Sequence, residues 1–125
     1  MNGSTKAVLV VEDDADLRQT LTMVVKRGGY VVAEAGNGLE AQQYLQSAAV
    51  PCLILLDLMM PVMNGWDFLA WLESQQEPLS SVKVVIMSGA HHDTLETAMK
   101  AHKAVALIEK PVKLAELLNT VSQFC

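Results

Sequence analysis

Apolar residues fall into five short runs, most of them closed by a polar or charged residue. They are Ala7 to Val11 before Glu12-Asp13-Asp14, Tyr30 to Ala33, Cys52 to Leu56 before Asp57, Val82 to Met87 before Ser88-Gly89, and Ala104 to Ile108 before Glu109-Lys110-Pro111. Such runs, continuous rather than alternating, predict strands buried on both faces, as in a parallel sheet. Between them the apolar positions recur every three or four residues. Leu17, Leu21, Val24 and Val25 lie between Asp14 and Gly28-Gly29, and Ala41, Tyr44, Leu45 and Ala48 follow the capping box of Asn37 and Glu40. Trp66, Phe68, Leu69, Trp71 and Leu72 follow Asn64 as N-cap. Leu95, Ala98 and Met99 lie within Asp93 to Lys100, a weakly packed helix with a small apolar face, and Leu114, Leu117, Leu118 and Val121 mark the last helix.

Alternating strands and helices predict an α/β domain with a doubly wound parallel sheet and helices on both faces. Right-handed crossovers leave the flavodoxin-like order 2-1-3-4-5 as the natural five-strand choice. One domain over residues 1–125 is expected, with residues 1–5 as a flexible start.

Composition narrows the function. Hydrophobic residues make up 51% and charged residues 18% of the 125 residues, which suits a core covered on two faces. A net charge of −5 argues against nucleic-acid binding by this domain, since phosphate contacts need clustered Lys and Arg. There is neither an apolar run of membrane-spanning length nor a secretory pattern at the start, so a cytoplasmic protein without membrane contact is expected. Cys52 and Cys125 share no metal-ligand spacing and are expected to be reduced.

The order 2-1-3-4-5 gathers the strand ends into one crevice, outside the carboxyl edge where the winding direction reverses. Glu12, Asp13 and Asp57 meet there, with Ser88 and Lys110 on the same side. Clustered carboxylates need a counter-charge, and an oxygen-only donor set suits Mg²⁺ rather than zinc. Asp57 is the candidate nucleophile towards phosphorus, Lys110 a fixed positive charge and Ser88 a hydroxyl donor to a phosphoryl oxygen.

These residues closely resemble the receiver domain of two-component response regulators, over essentially the whole chain. The resemblance rests on Val10-Val11-Glu12-Asp13-Asp14, on Leu56-Asp57-Leu58-Met59-Met60-Pro61-Val62-Met63-Asn64-Gly65, on Met87-Ser88-Gly89-Ala90 and on Glu109-Lys110-Pro111. It implies that Asp57 accepts a phosphoryl group from a sensor histidine kinase or a phosphotransfer protein. Asp13, Asp57 and the backbone carbonyl of Met59 are then the ligands of Mg²⁺, with Mn²⁺ able to substitute, and Glu12 reaches the metal mostly through water. Ser88 and Lys110 bind the phosphoryl group, and the Lys110–Pro111 bond is expected to be cis. Switching is expected at Ser88 and Leu107 and on the surface of the fourth helix, fifth strand and fifth helix, which controls a downstream protein partner. The chain is expected to be a signalling domain rather than a turnover enzyme, monomeric or weakly dimeric.

Two departures bear on this. Leu107 stands where many relatives carry an aromatic ring that swings inward on activation, which puts the aromatic part of the switch in question. Met59 and Ala90 offer no polar group to orient an attacking water, so a long-lived phosphorylated form is expected. A Mg²⁺-dependent phosphatase or phosphotransferase with an aspartyl nucleophile is the main alternative, yet Met59 stands where enzymes of the haloacid dehalogenase type carry their general acid. A flavodoxin-like cofactor or nucleotide binder would want a Gly/Ser/Thr-rich phosphate loop after the first strand, where this chain has acids. A receiver that binds partners without being phosphorylated is the third alternative. His91, His92 and His102 lack metal-ligand spacing and read as surface residues. Trp66 and Trp71, five positions apart, cannot both face the core in the same way.

Overall fold

The structure, a computed structural model, describes residues 6–47, 49–60, 62–89 and 104–125. Five parallel strands, β1 (Ala7–Val11), β2 (Val31–Ala35), β3 (Leu53–Asp57), β4 (Val84–Ser88) and β5 (Ala106–Glu109), form one sheet in the order β2-β1-β3-β4-β5. The described helices are α1 (Ala15–Arg27), α2 (Gly38–Ser47), α3 (Gly65–Glu73) and α4 (Leu114–Phe124), with a short 3₁₀ turn at Leu79–Ser81. The expected helix over 93–100, and with it Ala90, His91, His92 and His102, lies outside the described residues.

Alternation along the strands divides the core in two. Leu9, Val11, Ile54, Leu56 and Ile86 point to the face covered by α2 and α3, where they meet Ala41, Leu45, Phe68, Leu69 and Leu72. Val8, Val10, Leu53, Leu55, Val85 and Met87 point to the other face and meet Leu21 and Val25 of α1 and Leu117 and Val121 of α4. All five residues of β3 and all five of β4 are buried, as the uninterrupted apolar runs require. Trp66 and Trp71 are both half-buried beside the α2–α3 core, and the Trp71 ring lies 5.8 Å from that of Phe68.

Capping follows the expected side chains. Asp14 Oδ1 accepts from the amides of Asp16 and Leu17 at the start of α1, and Asn64 Oδ1 accepts from Asp67 N at 2.9 Å at the start of α3. Asn37 Oδ1 accepts from Glu40 N at 2.9 Å, while Glu40 Oε1 accepts from Gly36 N at 2.6 Å, a reciprocal arrangement one residue wider than a standard capping box.

The cysteine expectation is corrected. Cys52 and Cys125 are joined in a disulfide, with their Cα atoms 5.4 Å apart across 73 residues of sequence. The physical reason lies in the return path of α4, which packs along the sheet and delivers residue 125 to the start of β3. Neither strand runs nor helical spacing carries that proximity.

Candidate functional site

Register explains why the site assembles. Val11 pairs with Leu56, so Glu12 and Asp57 stand one step beyond at the same height. Asp57 pairs with Met87, which puts Ser88 one step further, and Ser88 pairs with Glu109, which puts Lys110 one step beyond that. The crevice is therefore a staircase of strand ends. Asp57 and Ser88 prolong β3 and β4 by one residue past the apolar runs, because both still pair with a neighbour.

Asp57 is buried and held on both sides. Its Oδ1 accepts from the amide of Met59 at 3.1 Å, and its Oδ2 lies 3.2 Å from the Lys110 ammonium. Lys110 donates at 2.8 Å to Oε1 of the buried Glu12, whose Oε2 accepts from Asp14 N at 3.2 Å. Glu12 is fixed further by its backbone: its amide donates to Ala35 O at 3.0 Å and its carbonyl accepts from Arg18 Nη1 at 2.8 Å. Asp13 is exposed, at the mouth of the crevice. Ser88 is buried at the end of β4, and its carbonyl accepts from Lys110 N at 3.0 Å. The Lys110–Pro111 peptide is cis.

The electrostatics follow from burial against pairing. Desolvation pushes the Glu12 carboxyl up to about 7, even though the hydrogen bond from Lys110 works in the opposite direction. For Lys110 burial acts to lower the pKa, but the hydrogen bond to Glu12 and the nearby negative charges of Asp57 and Glu12 outweigh it. Its ammonium is held above the ordinary lysine range.

Carboxylate oxygens of Glu12, Asp13 and Asp57 lie within 4.8 Å of one another, the one such group among the described residues. This donor set is all oxygen and partly open to water, which fits a hard divalent cation of the Mg²⁺ class and not zinc.

Close contacts that the sequence did not reveal shape the loop after Asp57. A Cβ on Gly65 would stand 2.6 Å from Leu58 Cα and 2.7 Å from Asp57 O, and Gly65 N donates to Leu58 O at 2.9 Å. A Cβ on Gly38 would stand 2.7 Å from Met63 Cγ, while Gly38 N donates to Met63 O at 3.2 Å. The loop is thus clamped between the first residues of α2 and α3. Asn64-Gly65 reads in the sequence as a turn pair, and the packing need for Gly65 is hidden behind that reading. Arg18 is the other omission, because its role is played through a backbone carbonyl.

The family model of the response regulator receiver domain matches residues 8–122. The chain is a response-regulator receiver domain. It is 35% identical over 122 residues to the DNA-binding response regulator MtrA of Mycobacterium tuberculosis, covering 97% of this chain and 51% of that protein. It is 30% identical over 118 residues to the response regulator receiver protein CpdR of Brucella abortus, covering 94% of this chain and 95% of that protein. The receiver thus spans about half the length of the MtrA proteins it matches. Among solved structures, a response regulator receiver protein from Pseudomonas putida superposes with a TM-score of 0.89 at 25% identity, covering 98% of this chain and 99% of that one. The chemotaxis protein CheY4 of Vibrio cholerae gives a TM-score of 0.87 at 25% identity, covering 98% and 100%. No helix among the described residues is long and apolar enough to cross a membrane.

Proposed function

We propose that this receiver domain takes a phosphoryl group onto Asp57 from a phosphohistidine of a sensor kinase or phosphotransfer protein, and that the change of charge alters its surface for a protein partner. The observation that carries the reading is the buried Asp57 carboxylate at the end of β3, tethered at Oδ1 by the Met59 amide and at Oδ2 by Lys110, with Glu12 and Asp13 alongside. A rigid strand and a clamped loop supply the positioning that phosphoryl transfer depends on.

An Asp57 carboxylate oxygen forms the new bond to phosphorus while the phosphorus–nitrogen bond of the donor breaks, and the leaving imidazole retains the electron pair and takes up a proton. The product is an acyl phosphate. Lys110, within 3.2 Å of Asp57 Oδ2 beforehand, pairs with a phosphoryl oxygen afterwards, and its raised pKa keeps it charged throughout. The Ser88 hydroxyl donates to a second phosphoryl oxygen. Asp13, Asp57 and the Met59 carbonyl would hold Mg²⁺ or Mn²⁺, and Glu12 would act on the ion mostly through water. Such a cation supplies neutralisation of charge on the phosphoryl oxygens.

Movement of Ser88 towards the phosphoryl group biases the segment that follows it, together with β5 and α4. Leu107 is half-buried against the α2–α3 core, so any change there is a rotamer change of an aliphatic side chain. The domain acts in signalling, and its cytoplasmic placement follows from the donor it needs.

Intact-protein mass after incubation with acetyl phosphate and Mg²⁺ tests the reading. One added phosphoryl group is expected, lost with chelator and lost in Asp57→Asn. An adduct that survives in Asp57→Asn, or none under rapid sampling, contradicts it.

A further inference from the structure

At the pole of the sheet opposite Asp57, the base of β3 and the end of α4 are joined side chain to side chain. Cys52 immediately precedes β3, about 17 Å from Asp57 at the rise of an extended strand. Its amide donates to Ala7 O at 2.8 Å, fixing it to the base of β1. Cys125 immediately follows α4, with its Cα 5.4 Å from that of Cys52. Two ammonium groups converge on the same turn: Lys6 Nζ donates to Cys125 O at 2.6 Å and Lys83 Nζ donates to Phe124 O at 3.2 Å. Lys6 precedes β1 and Lys83 precedes β4, so the end of α4 is held from three strands at once.

We propose that Cys52 and Cys125 form a reversible thiol–disulfide site that fastens the end of α4 to the base of the sheet. Both residues are half-buried, which leaves the sulfurs within reach of small molecules. Lys6 and Lys83 bring positive charge to the carbonyls of this helix end, and Cys52 Sγ lies 3.2 Å from Ala7 O. Positive charge at this helix end is also favourable to the helix dipole, so the lysines stay in place whether the cysteines are joined or not. Opening the bond leaves α4 held by Leu117, Val121 and the partly buried Phe124 on its inner face, and by hydrogen bonds from lysines that are largely exposed.

The reaction needs a low-molecular-weight disulfide such as oxidised glutathione. One cysteine thiolate attacks a sulfur of that disulfide, whose sulfur–sulfur bond breaks and releases one small thiolate. The second cysteine thiolate attacks the protein sulfur of the mixed disulfide and releases the other. Two protein thiols are oxidised, one small disulfide is reduced to two thiols, and the two protons lost by the cysteines pass to the released thiolates. An excess of small thiol runs the sequence backwards.

The inference is independent of phosphoryl transfer, and so is its test. The full chain is equilibrated without denaturant in glutathione buffers of varied ratio, alkylated, and weighed. The expected result is complete and reversible conversion, with two alkyl groups taken up in reduced buffer and none in oxidised buffer. Oxidation is expected to raise Tm by about 5 °C or more, given the long loop it closes. Amide exchange over residues 121–125 is expected to slow by about ten-fold on oxidation. The variant Cys125→Ser should keep the Tm and the amide exchange of the reduced protein in both buffers. A bond that resists small thiols in the folded protein overturns the proposal. So does one that forms only after unfolding, or a Tm and exchange pattern indifferent to the buffer.

Discussion

Glu12 carries the clearest electrostatic consequence of the site at the scale of one residue. Its carboxyl is buried, and burial outweighs the Lys110 hydrogen bond, so its folded pKa lies at about 7 against an ordinary 4.5. A folded pKa above the unfolded one contributes stability that is fully present below pH 4.5 and lost as pH rises through 7. With chelator present, wild type is therefore expected to lose stability relative to Glu12→Gln between pH 4.5 and pH 7.5. Urea midpoints of the two proteins across that window check this, and parallel profiles would remove the burial argument. Val62 shows a different cost. It has φ 69°, in the left-handed region that a β-branched side chain resists, and it is 78% exposed, so little packing compensates. Val62→Asn should raise stability by about 1 kcal/mol, read as a higher urea midpoint at unchanged slope.

The element that controls the site is the loop from Asp57 to Asn64, and its shape depends on two glycines that no strand or helix pattern reveals. Gly65 lets the first turn of α3 press against the backbone of Asp57 and Leu58, with room for no side chain. Gly65→Ala is expected to cost about 2 kcal/mol and to slow phosphorylation of Asp57, since the displaced backbone is the one that orients the carboxylate. Denaturation midpoint and phosphorylation half-time measure both effects together. Wild-type values for both would show that the clamp is dispensable. The caps of this loop and of α1 were readable because Asn64 and Asp14 act on amides two or three residues ahead. Strand ends were readable only to within a residue or two. Asp57 and Ser88 look like terminators in a hydrophobic pattern, yet each continues the ladder through its backbone.

Across the whole molecule, the sequence displayed the topology because buried parallel strands and amphipathic helices leave different periodicities. The site was legible for the same reason, since each of its residues sits where an apolar run stops, and parallel register brings those stops together. Contacts that join elements distant in the chain left no such trace. Cys52 and Cys125 read as two unrelated thiols until α4 is laid along the sheet, and the hold of Arg18 on the Glu12 carbonyl depends on how α1 packs. The fold thus places a clamped carboxylate at one pole of β3 and a covalent tie at the other, with α4 fastened at that second pole. Under the proposed function, phosphorylation at Asp57 is the event that this arrangement serves. Reductive trapping tests it at the level of the residue: the protein is phosphorylated with acetyl phosphate and Mg²⁺, treated at once with borohydride, digested, and its peptides weighed. Conversion of residue 57 alone to homoserine is the expected result. Trapping at another carboxylate, or at none while intact mass shows a phosphoryl group, would contradict it.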